Sequence, residues 1–370
     1  METRLNIENP FYDNDASGSA FGWDFQVNAA IFLFLKYLDE VETIKVEGKY
    51  QDIEIKKTDN SFIYAQAKSI QDGSLTNRMP KLEDAIISLA KTPATKDDSL
   101  LYISNYSAPI KDADIFKNKV LSLKNVKQEQ DVFIEQKKKI EEKLVFQVSQ
   151  CKNETKKKKL EELKKRIERI DVDKFLVSSI YPYVNAEQEM DKYQVITEHI
   201  QELLTSKFGI NTPYISKFVR ALLLQWHETF LCNTTTPERN REKTKSKIDL
   251  LWQIVVIISN LEVDMSQLFD EELEEDQLSE YEMYYEKKLF IHERFKFFNQ
   301  LQDDLRAFLK KNNEKKALDF VKESWQNYKE EFSEFKEYNI IAQEYLIKKS
   351  LYILINHKYN IKKIIDRSPI

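Results

Sequence analysis

The stretch from Val46 to Ser69, VEGKYQDIEIKKTDNSFIYAQAKS, constrains the fold of this chain most. It holds two short runs, DIEIKK and SFIYAQAKS, separated by the polar cluster Thr58-Asp59-Asn60-Ser61. Apolar and polar residues alternate in both runs, as in strands with one face in a core. A Thr-Asp-Asn-Ser cluster favours a turn, so the stretch is expected to fold as a hairpin. Gln66 and Lys68, two apart, then share a face with Phe62 and Tyr64, while Ile63, Ala65 and Ala67 take the other. A hairpin of this length lays Asp52 beside Gln66 and Lys68.

That juxtaposition gathers a carboxylate, an amide oxygen and an ammonium around one small volume. Glu47, at the end of the preceding run TIKVE, adds a second carboxylate close in sequence to Asp52. Magnesium takes hard oxygen ligands and keeps several waters, and a lysine beside it can orient one of them. Phosphodiester hydrolysis needs such a kit: an ion to bear charge on the phosphate, and a held water to attack it. The same residues also suit two ordinary strands whose solvent faces carry polar side chains.

The motif resembles the PD-(D/E)xK nuclease superfamily, in the branch that carries Gln in place of the acidic residue, as in Mrr-like restriction endonucleases. It is similar above all to bacterial antiphage effector nucleases, in which a helix of Phe-x-x-Asn-Ala-Ala character precedes a Glu…Asp…Gln-x-Lys core. Here the helix is FGWDFQVNAAIFLFLKYLDE, and the core is Glu47, Asp52 and Gln66-Ala67-Lys68. The similarity covers roughly residues 15–110 and at its widest extends to 205. It implies Asp52 and Glu47 as carboxylate ligands of Mg2+ or Mn2+, and Gln66 as a weaker ligand through its side-chain oxygen. Lys68 is then the residue that positions the attacking water. The Ala67 carbonyl would be a further ligand, and Gln26 on the first helix would lie near the site. A neutral Gln66 shifts the burden of metal binding onto Glu47, Asp52 and DNA phosphates.

With 370 residues the chain is long enough for two domains with their own cores. There are 57 basic and 62 acidic residues, so no global basic signature of a DNA binder exists. The charge is instead segregated. Residues 111–170 hold 18 Lys and Arg against 11 Asp and Glu, whereas residues 261–290 hold 2 against 11. The basic segment suits DNA phosphates and equally suits a solvated helix surface. Cys151 and Cys232 lack the spacing of a metal site or a disulfide framework and read as free thiols of a reducing compartment. No run approaches a membrane span, so a cytoplasmic location is expected. No phosphate-binding Gly-rich loop occurs, so ATP hydrolysis is not expected.

The expected fold is an α/β restriction-endonuclease-like N-terminal domain with a mixed sheet, followed by a mainly α-helical C-terminal domain. A disordered lead (1–14) precedes the first domain (15–205). A helix begins at Gly22-Trp23 and runs to about Leu38, with strands near 42–48, 51–57 and 61–69. A loop containing Pro80 leads to a helix at about 81–91, and a strand follows at 99–105. Residues 112–170 are expected to be an insertion, an antiparallel helical hairpin turned around CKNET, before DKFLVSSIYPYV returns to the sheet. The C-terminal domain (206–370) reads as helices broken near Pro213 and between Asn233 and Pro237. The pattern from WHETF through KTKSKIDLLWQIVVIISN is similar to the helical part of effector subunits in Lamassu-type defence systems, which are built around an SMC-like ATPase.

These resemblances imply an endonuclease effector that cuts double-stranded DNA and self-associates when active. It would assemble with an SMC-like ATPase and an accessory subunit, with no membrane partner. A nucleotide-activated effector, a stand-alone restriction endonuclease and an inactive nuclease-fold scaffold are the alternatives.

Overall fold

A computed structural model of the chain describes residues 17–70, 75–110, 113–183, 192–235, 244–260, 268, 279–281, 285 and 294–368. The expected lead and most of the acidic segment 261–290 lie outside the described residues.

The architecture combines α/β and helical parts. Seven strands form one mixed sheet: β1 (Val41–Val46), β2 (Ile53–Lys57), β3 (Phe62–Lys68), β4 (Ser99–Ser104), β5 (Val120–Ser122), β6 (Phe175–Ser179) and β7 (Thr244–Ser246). Their order is β5-β6-β4-β3-β2-β1-β7. By their contacts the residues divide into two interleaved compact units. The first comprises Met1–Ala30, Gly48–Glu54 and Phe62–Val195, and the second Ile31–Glu47, Ile55–Ser61 and Ile196–Ile370. The last long segment of the second unit begins ten residues before the expected domain start at 206.

In the first unit β3, β4 and β6 run parallel, and β5 lies antiparallel to β6. Helix α2 (Leu75–Ala90) links β3 to β4 as a parallel pair requires. It starts earlier than expected and takes in Pro80, which the sequence placed in a preceding loop. Pro80 is exposed and near the helix start, so its missing N–H removes one intrahelical bond without disturbing the packed face.

The insertion forms the expected hairpin of α3 (Lys127–Gln150) and α4 (Glu154–Glu168), turned at Asn153, whose side chain accepts the Lys156 N–H. Phe133, Ile140 and Leu144 on one stripe of α3 join Tyr64, Leu82, Ile86, Tyr102, Phe175 and Val177 in one buried cluster. The Phe133 and Phe175 rings lie 4.3 Å apart, docking the hairpin on β6.

The second unit is mainly helical, with β1 paired antiparallel to the short β7. Helices α5 (Gln194–Glu202), α6 (Ile215–Thr235), α7 (Lys247–Asn260), α8 (Phe295–Lys311), α9 (Ala317–Ser324), α10 (Ile340–Asn356) and α11 (Lys358–Arg367) follow. Helix α6 reaches Thr235, inside the break expected between Asn233 and Pro237, and residues 236–243 lie outside the described residues. Trp226 on α6 packs edge-on against Phe34 and donates its indole N–H to the Leu250 carbonyl. Arg294 is buried and paired with Glu331 and Glu334 over the Phe332 ring. Among the described residues no helix is long and apolar enough to cross a membrane.

Candidate functional site

Asp52 enters β2 from a short loop that is held at both ends. Glu54 reaches back and accepts the Tyr50 N–H at 2.7 Å, while the Gly48 N–H bonds the Gln51 carbonyl at 3.0 Å. A Cβ at Gly48 would fall 2.3 Å from the Glu54 side chain, so a larger residue there has to push the flexible end of Glu54 aside. Gln51 is buried and bonds the Ser88 carbonyl at 3.0 Å and the Thr92 hydroxyl at 2.7 Å, fixing the loop to the C-terminal end of α2. Ile53 points into the core on the other side. Asp52 is therefore presented by a rigid loop.

The expected contact with the second strand is present. The Asp52 carboxylate accepts a short hydrogen bond from the Gln66 side-chain amide and the backbone N–H of Ala67 at 3.0 Å. Gln66 itself is buried. Lys68 follows on the same face and is half-buried. It forms no ion pair among the described residues, so the structure does not bring it into salt-bridge contact with Asp52. The register places Gln66 opposite Tyr102 and Lys68 opposite Ser104, at the C-terminal ends of two parallel strands. In open α/β sheets that is where ligand crevices form.

Glu47 belongs to the second unit and stands one residue beyond β1. Its φ is +52°, a left-handed conformation uncommon for a residue other than glycine, asparagine or aspartate. Gln26, on α1 (Ser17–Lys36), is half-buried, and its Oε1 finds no hydrogen-bond partner among the described residues.

Three further features were not read from the sequence. Asn105, just past β4, is buried and bonds both the N–H and the carbonyl of Ile70 and the carbonyl of Tyr183. It ties off the strand that carries Lys68. Asp24 on α1 accepts hydrogen bonds from the Tyr183 and Tyr193 hydroxyls and pairs with Lys192. Burial, with Asp24 next, raises the Tyr183 phenol far above its usual range, so it stays protonated and donating. Gly22 brings the first turns of α1 within 3.5 Å of the Ser69 hydroxyl, as measured from an added Cβ.

The donor set suits a hard cation in kind. Asp52 offers carboxylate oxygen, and Gln66 offers an amide oxygen once its amide is turned, because its nitrogen now faces Asp52. No group of three or more His, Cys, Asp or Glu side chains gathers among the described residues. Magnesium is commonly held by one or two carboxylates, with water and substrate phosphate completing its shell, and these residues fit that pattern.

No protein-family model matches the chain, and neither the curated proteins nor the solved structures yield a significant match.

Proposed function

We propose that this chain is a Mg2+- or Mn2+-dependent endodeoxyribonuclease of the PD-(D/E)xK type, with Gln in the acidic position. The observation that carries the reading is the meeting of Asp52 with Gln66 and Ala67 on adjoining strands, with Lys68 following on the same face. Asp52 and Glu47 would hold the ion, with Gln66 as a weaker oxygen donor. The bound ion supplies charge stabilisation on the phosphate. Lys68, which forms no ion pair among the described residues, would hold and orient the attacking water. Gln66 and the Ala67 N–H fix the Asp52 carboxylate, and Asn105 fixes the strand end beyond Lys68.

In the wider reading the nuclease is an antiphage effector restrained by an SMC-like ATPase with an accessory subunit, acting on double-stranded DNA and self-associating when released. Support for this part is the sequence resemblance of the one stretch from Trp226 to Asn260. Affinity purification from cells encoding the candidate partners tests it. An ATPase that copurifies and suppresses metal-dependent plasmid cutting is the expected result; cutting that is indifferent to any copurifying protein sinks the restraint.

A second reading, an inactive nuclease-fold scaffold, has one observation in its favour. Gln66 and Ala67 already satisfy Asp52 by hydrogen bonds internal to the protein.

A further inference from the structure

Arg78 is the fourth residue of α2 and is half-buried. Its Nη1 donates to the Ser107 carbonyl at 3.0 Å, on the loop leaving β4 just after Ser104, the residue opposite Lys68. Its Nε is buried and unpartnered, and Arg78 forms no ion pair among the described residues. Arg294, whose Nε is likewise buried without a hydrogen-bond partner, differs in having its charge matched by two glutamates. A guanidinium drawn from water without a carboxylate has its solvation uncompensated until an anion arrives.

The surroundings point the same way. Tyr102 is fully buried, and its hydroxyl makes no well-aligned hydrogen bond; Ser104 beside it gives its own proton to the Tyr106 carbonyl at 2.5 Å. Burial pushes the Tyr102 phenol up to about 12, partly offset by Ser104 and by the charge of Arg78 acting on it. It thus stays protonated, with Ser104 close by but no hydrogen bond of good geometry to its hydroxyl among the described residues. Gln66, Lys68 and Tyr102 share the sheet face that packs on α2, since Tyr64 and Tyr102 join Leu82 and Ile86 in one cluster. Lys68, at the end of β3, and Arg78, held to the loop after β4, are thus two half-buried cations that form no ion pair among the described residues.

We propose that Arg78 binds a phosphate of the DNA backbone next to the cleavage site, its guanidinium pre-positioned by the Ser107 carbonyl and its counter-ion supplied by the substrate. This rests on the nuclease reading for the identity of the anion. Arg78 is a substrate-binding residue in this account, whereas Lys68 acts on the water.

The test measures binding of a short labelled DNA duplex without divalent ions at several salt concentrations, alongside metal-dependent cutting. Wild type, Arg78→Gln and Arg78→Lys are compared, with thermal unfolding as the folding control. Arg78→Gln is expected to weaken binding about tenfold and to reduce the salt slope by about one, as loss of a single phosphate contact does. Arg78→Lys keeps the charge, so it should retain the slope while losing part of the affinity. Arg78→Gln with wild-type affinity and slope overturns the assignment, even if the wild type cuts DNA. A wild type that binds but never cuts, with binding still lost in Arg78→Gln, leaves the phosphate contact standing and defeats the nuclease reading. A wild type that does not bind DNA overturns both. Should Arg78→Gln fail to fold, Arg78→Lys decides: an altered salt slope in that folded variant contradicts a simple charge contact.

Discussion

Replacing Asn105 by alanine removes a side chain that bonds three buried backbone groups. These are the Ile70 N–H at 2.7 Å, the Ile70 carbonyl at 2.9 Å and the Tyr183 carbonyl at 3.2 Å. Asn105, Ile70 and Tyr183 are all buried, so water cannot readily replace the lost partner. At about 1 kcal/mol net per hydrogen bond, the loss is about 3 kcal/mol. For a unit of this size, roughly 2–4 °C per kcal/mol translates it into a fall of about 6–12 °C in the melting temperature. Asn105→Asp refines the test. It keeps the acceptor for the Ile70 N–H but sets a carboxylate oxygen against two carbonyls, so it should cost more than alanine. Thermal and urea unfolding give the global loss, and hydrogen exchange at the Ile70 amide gives the local one. A loss below about 1 kcal/mol with Ile70 still protected, or an aspartate variant milder than alanine, would refute the reasoning, because surface changes alone fall in that range.

Phe133→Ala should cost about 3–5 kcal/mol, as expected for a fully buried ring that packs 4.3 Å from Phe175, and limited proteolysis should then cut the α3–α4 hairpin first. Gly48→Ala must displace the Glu54 carboxylate from the Tyr50 N–H. A loss of about 1–2 kcal/mol measured by urea unfolding is expected, and an unchanged midpoint would show that the loop tolerates a side chain. The pKa of His199 is lowered chiefly by burial, with Lys36 adding to the effect and Glu202 and Glu198 opposing it, while its ring packs near Phe32. A group depressed in the folded state binds its proton more readily when unfolded. Its contribution is therefore present above about pH 6.5 and lost as pH falls through the folded value. His199→Gln should flatten that part of the stability profile, and a profile unchanged below neutrality would contradict the assignment.

The parts of the fold that were legible in the sequence are those written in local pattern. Alternation in DIEIKK and FIYAQAK marks β2 and β3, and the intervening turn closes as expected, with Asn60 in the left-handed region and Asp59 accepting from Ser61. Register then carried Asp52 to Gln66 without knowledge of anything distant. The hairpin of α3 and α4 was legible for the same reason, from helix formers flanking an Asn cap.

What escaped has partners remote in sequence. Asn105 lies 35 residues from Ile70 and reads as an ordinary polar residue after a strand. Arg78 is bound to a loop 29 residues away, and Glu54 looks like a solvent-facing strand residue until its turn is seen. Strands β5 and β7, of three residues each, are too short to show any alternation. The start of α2 was displaced because tertiary packing of Leu82, Ile86 and Leu89 outweighs the local preference of Pro80 for a loop.

The most direct measurement is cleavage of supercoiled plasmid with magnesium or manganese by wild type, Asp52→Ala and Lys68→Ala, each first shown to be folded. Lys68 makes no ion pair among the described residues, so its alanine variant should unfold within about 0.5 kcal/mol of wild type and yet lose cutting. The account predicts metal-dependent nicking and linearisation by the wild type alone. Cutting that persists in both folded variants, or a wild type inert with either ion at every concentration and with copurified partners added, would contradict it.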